Sequence, residues 1–245
     1  LAFHDIPCFA FEPESHIETP FNTKLDHRTT VAHYTSPSQG LDLLRQKLES
    51  HKGRGYFSYY DPFLDKLAHQ LGPDHAEVQQ HASNILGTIH ERLVKDLKSP
   101  RTALLLFADH GQTAVDPRAT YFIDTEIQGI NDHLRTNRHN FPHIFTGSNR
   151  DLFLYVKPEF RENLGKILKK KLPDDIVLAD TQRLLGEGYF GSTVGRRLLE
   201  RLPDFILLPT SARSVWWNLG RNPQRGMHGG LSREEMLTPF GFLPH

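Results

Sequence analysis

The sequence carries no net charge: Lys and Arg together number 29, and so do Asp and Glu. No overall field therefore recruits duplex nucleic acid or an anionic membrane, and any anion has to be met by a local site. There is one cysteine, Cys8, which excludes an intrachain disulfide, and there is no Asn-x-Ser/Thr sequon. Both absences favour a reducing, cytoplasmic location. No apolar run reaches the roughly 18 residues of a membrane-spanning helix, and no basic-then-apolar leader opens the chain. The first residue is Leu1, not Met, and LAFHDIPCFAF reads as the middle of a longer polypeptide. An N-terminal portion upstream of Leu1 is expected on that basis.

What remains is enough for a sizeable core and one α/β domain across residues 1–245. Fifteen histidines supply material for a metal site. The segment TALLLFADHGQT (102–113) poses the central question, because an apolar run from Ala103 to Ala108 stops at Asp109-His110-Gly111. Its lack of alternation predicts a central parallel strand buried on both faces. Ligands of open α/β sheets bind beyond the carboxyl ends of such strands, where Asp109 and His110 would project. The competing reading is a turn, with Gly111 supplying a positive φ.

Around this strand, PCFAF (7–11) and GYFSYY (55–60) read as strands, and Glu12–Gln39 as a long polar, functional or lid-like loop. Leu41, Leu43, Leu44 and Leu48 form a helical stripe. Val78, Ile85, Ile89, Leu93 and Leu97 place a long amphipathic helix over 76–97, which passes through Ser99-Pro100 into the strand above. That strand, helix, strand order predicts a parallel sheet. Further strands are expected at 151–156, 176–179 and 205–208, with helices at 159–171 and 196–202. Ser232 and Glu235 form a capping box that starts a helix just after His228-Gly229-Gly230.

Asp65 and His69 are four residues apart, so one helical face carries both and they can share a divalent cation, or form an ordinary surface pair. Asp61 competes with Asp65, and the spacing to His69 decides for Asp65. In RGMHGGLSREEM, the two glycines after His228 allow close backbone approach and an exposed imidazole.

Taken together, DKLAHQLGP, ADHGQT and HGGLSREEMLTPF, in this order, resemble the alkaline phosphatase superfamily, most closely its type I phosphodiesterase and nucleotide pyrophosphatase branch. GSNRDLFLYVKPE, EGYFGS and RLPDFILLP add local likeness, and the resemblance spans roughly residues 55 to 240. It implies an α/β fold with a doubly wound, mostly parallel sheet flanked by helices. It implies two zinc-like divalent ions, with Mn or Mg as alternatives: Asp65, His69 and His228 on one, Asp109 and His110 on the other. It also implies a Thr or Ser nucleophile, preceded by a strand ending in Asp, both upstream of Leu1. No Asp-Gly strand end occurs in residues 1–50 to supply them. The implied substrate is a small phosphate ester, best matched by a nucleotide-type phosphodiester or pyrophosphate. The nucleophile would form a covalent intermediate that water hydrolyses, and the missing N-terminal segment would be the chain's partner. A catalytically incomplete metal-binding or interaction module is the alternative, as are phosphomonoesterase, sulfatase and phosphoglycerate mutase activities.

Other motifs are decoys. GEGYFG (186–191) follows a helix, not a strand, which argues against a dinucleotide site. His139 and His143 have zincin-like spacing, but Pro142 lies between them and no Glu follows His139. The lysines of KILKKKL are expected on a solvated helix face. Trp216 and Trp217 are expected to pack a loop, and Arg150 to pair with a nearby carboxylate in preference to a substrate phosphate.

Overall fold

The computed structural model describes residues 5–16, 29–95, 97, 101–218 and 224–244. They pack as two compact units, one from residues 1–67, 74–107 and 239–245, the other from 68–73 and 108–238. The class is α/β, as expected, and the strands fall into several small sheets.

In the first unit, β1 (Cys8–Pro13) is the centre of a parallel sheet, flanked by β2 (Thr29–Tyr34) and β3 (Tyr56–Tyr59). Between β2 and β3 runs α1 (Pro37–Ser50), which starts where Pro37 supplies a preset φ and the Ser36 hydroxyl accepts the Gln39 N–H. Leu41 and Leu44 of α1 meet Phe9, Phe11 and Tyr34 in the unit's core, and Ile85 and Ile89 pack against the same cluster. The long polar loop expected over 12–39 is therefore corrected at both ends: 29–34 is a strand and 37–39 is helix, while 17–28 lie outside the described residues. TTVAHY hid its strand character because it is half-buried, so its polar residues look like loop.

After α2 (Phe63–Leu71) comes α3 (Ala76–Ile89), continued by a π-helical turn, His90–Lys95. The expected helix is present in that form, and Ser99-Pro100 lie outside the described residues. β4 (Ala103–Phe107) departs from expectation: it pairs antiparallel with the C-terminal strand Phe240–Pro244, and its alternate residues are exposed. An apolar run shows that a strand can be buried on both faces, not what covers it. The parallel partners predicted for it are instead those of β1.

The second unit holds an antiparallel sheet in the order β5-β6-β8-β7, from β5 (Gly147–Ser148), β6 (Asp151–Leu154), β7 (Ile176–Asp180) and β8 (Phe205–Pro209). Leu152 and Leu154 of β6 and Leu207 of β8 face Leu164 and Leu168 of α4 (Arg161–Lys171), and Trp217 joins this core. Lys169, Lys170 and Lys171 lie on the exposed side of α4, as their spacing suggests. The helix expected at 196–202 spans Arg196–Leu199. Replacing the fully buried Leu152 by Ala should lower unfolding free energy by about 2–5 kcal/mol, whereas Lys170→Ala should change it little; urea denaturation of both variants checks this.

Candidate metal centre

α2 begins where the Asp61 carboxylate accepts the Phe63 N–H at 2.8 Å. That use assigns Asp61 to the helix start and leaves Asp65, one turn before His69, as the carboxylate on the imidazole's face. The His69 ring then meets the segment before His228, where Nδ1 lies 2.7 Å from the Gly226 carbonyl oxygen. A carbonyl only accepts, so Nδ1 carries the proton and, in the neutral ring, Nε2 is the nitrogen with the lone pair. One donor atom from each of Asp65, His69 and His228 lies within 4.8 Å of the others. All three side chains are half-buried, and oxygen with two imidazole nitrogens is a donor set suited to a borderline divalent ion.

Residues 225–227 reach this position because they are tied on two sides. Arg225 N–H donates to the His69 carbonyl, and Val115 N–H donates to the Arg225 carbonyl, both at 2.8 Å. Gly226-Met227 also pair antiparallel with Thr113-Ala114. That ribbon starts three residues after His110, so the Asp-His-Gly and His-Gly-Gly segments run side by side. The His110 and His228 rings stack with centroids 3.6 Å apart and planes 14° apart, and His69 lies 5.1 Å from His228 on centroids. His110 Nδ1 lies 3.0 Å from the Gly111 carbonyl, which again leaves Nε2 unprotonated in the neutral ring. Asp109 Oδ1 is 3.8 Å from that Nε2, with 66% of its side chain exposed.

The structure thus gathers Asp65, His69 and His228 into one donor group and stacks His110 on it, with Asp109 beside His110 and outside the group. Gly111 serves differently from its sequence reading: it has no positive φ, and a Cβ there would lie 2.0 Å from the Glu234 carbonyl oxygen. Its role is close approach. Gly229 does take a positive φ, 108°, against Ser148 and Asp151.

Two features were invisible as site elements in the sequence. The capping box is present, but Glu235 also accepts the Gly230 N–H at 3.0 Å and pairs with buried Arg150, 2.9 Å away. Burial alone would raise the Glu235 carboxyl, but hydrogen bonds from Arg150 and Ser232 outweigh it, and it ends below its ordinary range. Asp151 accepts the Ser148 N–H at 2.8 Å and the Ser148 hydroxyl, whose oxygen also lies 3.4 Å from the His228 carbonyl. Burial pushes the Asp151 carboxyl up despite the Ser148 hydrogen bonds. The capping-box spacing was the available signal for Glu235. No spacing rule points to Asp151.

The decoys find structural uses. His139 accepts from Arg138 Nε, and GEGYFG forms an exposed turn after the helix Thr181–Gly186. Asp116, six residues after His110, also has a structural use: it caps the turn Pro117–Ala119 and pairs with Arg118.

Gly111→Ala should destabilise the protein through its clash, whereas Gly87→Ala, where a Cβ meets nothing within 4 Å on a helix, should be neutral or stabilising, by up to about 1 kcal/mol. Thermal melts should show the midpoint lowered for Gly111→Ala and unchanged or raised for Gly87→Ala. Because the folded Glu235 carboxyl is depressed, the unfolded chain takes its proton first as pH falls. The stability it contributes is present above the ordinary glutamate range and lost below it. Glu235→Gln, which cannot titrate, should show a shallower acid loss in urea unfolding at stepped pH.

Residues 6–230 match the family described as Type I phosphodiesterase / nucleotide pyrophosphatase. Comparison with curated protein sequences gives no match. Among solved structures, murine ectonucleotide pyrophosphatase / phosphodiesterase 5 is similar in an inactive form in complex with AMP, with a TM-score of 0.69 at 12% identity. A second structure of that murine protein gives 0.69 at 13%, and the human protein gives 0.68 at 15%. Each alignment covers 99% of this chain and 61% of the other, so the chain spans about three-fifths of their length. At such identities these likenesses establish an alkaline-phosphatase-like fold. The family match extends over most of the sequence and includes Asp65, His69, Asp109, His110 and His228, and on that match the chain belongs to the type I phosphodiesterase / nucleotide pyrophosphatase family.

Proposed function

We propose that this chain carries the metal-binding part of a phosphate-ester hydrolase acting on nucleotide-type phosphodiesters or pyrophosphates. The observation that carries the reading is the convergence of Asp65, His69 and His228 donors within a chain that matches this family. Asp65, His69 and His228 hold one divalent ion, and Asp109 and His110 contribute to a second. Carboxylate and imidazole donors without thiolate favour zinc, with Mn or Mg as weaker fits. When bound, two such ions would polarise the phosphoryl group and activate a hydroxyl nucleophile.

The chain's own residues prepare that chemistry. The Gly226 and Gly111 carbonyls fix the tautomers of His69 and His110, so that Nε2 is the nitrogen each neutral ring would turn to an ion. Asp109, largely exposed, is accessible to a ligand arriving from solvent. The AMP complex of the murine structure supports a nucleotide phosphate as the substrate class. The reading assigns no nucleophile among the described residues; a Thr or Ser opening a helix remains the expected group.

Metal analysis together with hydrolysis of an aryl phosphodiester and an aryl phosphomonoester, before and after chelation, tests the proposal. The protein should retain divalent ion, prefer the diester and lose turnover on chelation. His228→Ala should remove one ion equivalent; unchanged metal content in that variant overturns the ligand assignment. Ion binding with no turnover of either ester would reduce the chain to a metal-binding module.

A further inference from the structure

Beside the histidines, two opposite charges are buried without belonging to the donor group. The Arg150 side chain is 0% exposed and that of Glu235 1%. Arg150 Nε meets Glu235 Oε1 at 3.0 Å and Nη2 meets Oε2 at 2.9 Å, while Nη1 donates to the carbonyls of Ser211, at 2.7 Å, and Arg213. The guanidinium is thus committed to protein acceptors, as a support and not as an anion ligand.

We infer that Arg150 and Glu235 are a positioning pair that sets the stacked geometry of His110 on His228. Glu235 reaches both ring-bearing segments. Its Oε1 accepts the N–H of Gly230, two residues after His228, at 3.0 Å. Its main-chain carbonyl accepts the N–H of Gly111, directly after His110, at 2.8 Å. The Arg150 main chain touches the same segment by a second route, because its N–H donates to the Ser148 hydroxyl oxygen at 3.2 Å and that oxygen lies 3.4 Å from the His228 carbonyl. Neither glycine has room for a side chain: a Cβ at Gly230 would lie 2.8 Å from Glu235 Oε2. The Glu235 carboxylate therefore sits against the Gly230 backbone, while the main chain of the same short helix sits against Gly111.

A cap for the short helix Arg233–Met236 would account for Glu235 alone, yet capping boxes work at the surface without a buried partner. A buried ion pair is commonly no more stabilising than apolar residues of similar volume. What this pair adds is direction, through a rigid fork that fixes one carboxylate orientation and with it the Gly230–Ser232 backbone and the seat of the helix whose main chain holds Gly111. The inference rests on the proposed function only for the purpose of the stacked rings, not for their geometry.

The test uses imidazole ring NMR of the metal-free protein, with His110 and His228 signals assigned through His110→Asn and His228→Asn. In the parent, ring protons of both residues should be displaced upfield by mutual stacking. The double variant Arg150→Met/Glu235→Leu removes both charges together, so neither is left unpaired, and should unfold cooperatively with parental far-UV circular dichroism. Its His110 and His228 signals should move to free-imidazole positions, and zinc affinity by dye competition should fall about 10–100-fold. Parental ring shifts in the double variant overturn the inference. If that variant does not fold, Arg150→Lys, which keeps the charge but not the fork, is read by the same criterion. A parent that shows the stacking shifts but binds no zinc would sink the proposed function and leave the positioning pair standing.

Discussion

The arrangement depends on the pinning of residues 225–227 from two sides. One side is α2, whose His69 gives its Nδ1 proton to the Gly226 carbonyl and whose His69 carbonyl accepts the Arg225 N–H. The other is the short ribbon with Thr113-Ala114. Neither contact is large, and a two-residue ribbon has no independent stability. Their value is geometric. Three motifs more than a hundred residues apart at the extremes share one backbone segment, and a displacement there would move His228 away from both other imidazoles. The absence of a Cβ at Gly226 follows from the same crowding, since it would fall 2.3 Å from the Ala68 carbonyl oxygen.

Much of the candidate site was legible because its chemistry is local. Asp65 and His69 are paired by helical period, His228 is marked by its glycines, and the capping box announces the helix that follows. These readings need only neighbours in sequence, and the structure contains each of them. What was not legible is the set of relations between distant backbones. Gly111 looked like a turn residue needing positive φ, but it is a contact residue, and only the location of Glu234 could have revealed that. Asp151 likewise looked like the first residue of a strand, which it is, without any sign that it holds Ser148 against the His228 carbonyl.

The fold was legible by class and less so by pairing. Periodicity located α1, α3, α4 and most strands, because burying one face imposes a pattern on the residues that form it. It could not choose partners for β4. Ala103–Phe107 reads as a strand covered on both faces, yet its paired residues Leu105 with Phe242 and Phe107 with Phe240 present one apolar face to solvent, with Phe107 66% and Phe240 74% exposed. Hydrophobicity specifies what a strand tolerates next to it, while hydrogen-bond partners depend on chain elsewhere. The opposite error occurred at Thr29–Tyr34, where polar residues on a half-buried strand resembled loop although β1 pairs along its whole length.

The same reasoning explains why the donors are imidazole and carboxylate with fixed outer partners, and why those partners are main-chain carbonyls. A histidine ring near other histidines has two choices of tautomer, and the wrong one presents N–H where a lone pair is needed. A side-chain acceptor could rotate away or titrate; a carbonyl held in a ribbon or a tight loop does neither. Gly226 and Gly111, each kept free of a Cβ by close backbone contacts, supply those carbonyls to His69 and His110. The glycines thus connect sequence to chemistry: they permit the crowding that brings the segments together, and the carbonyls they expose decide which nitrogen each ring offers.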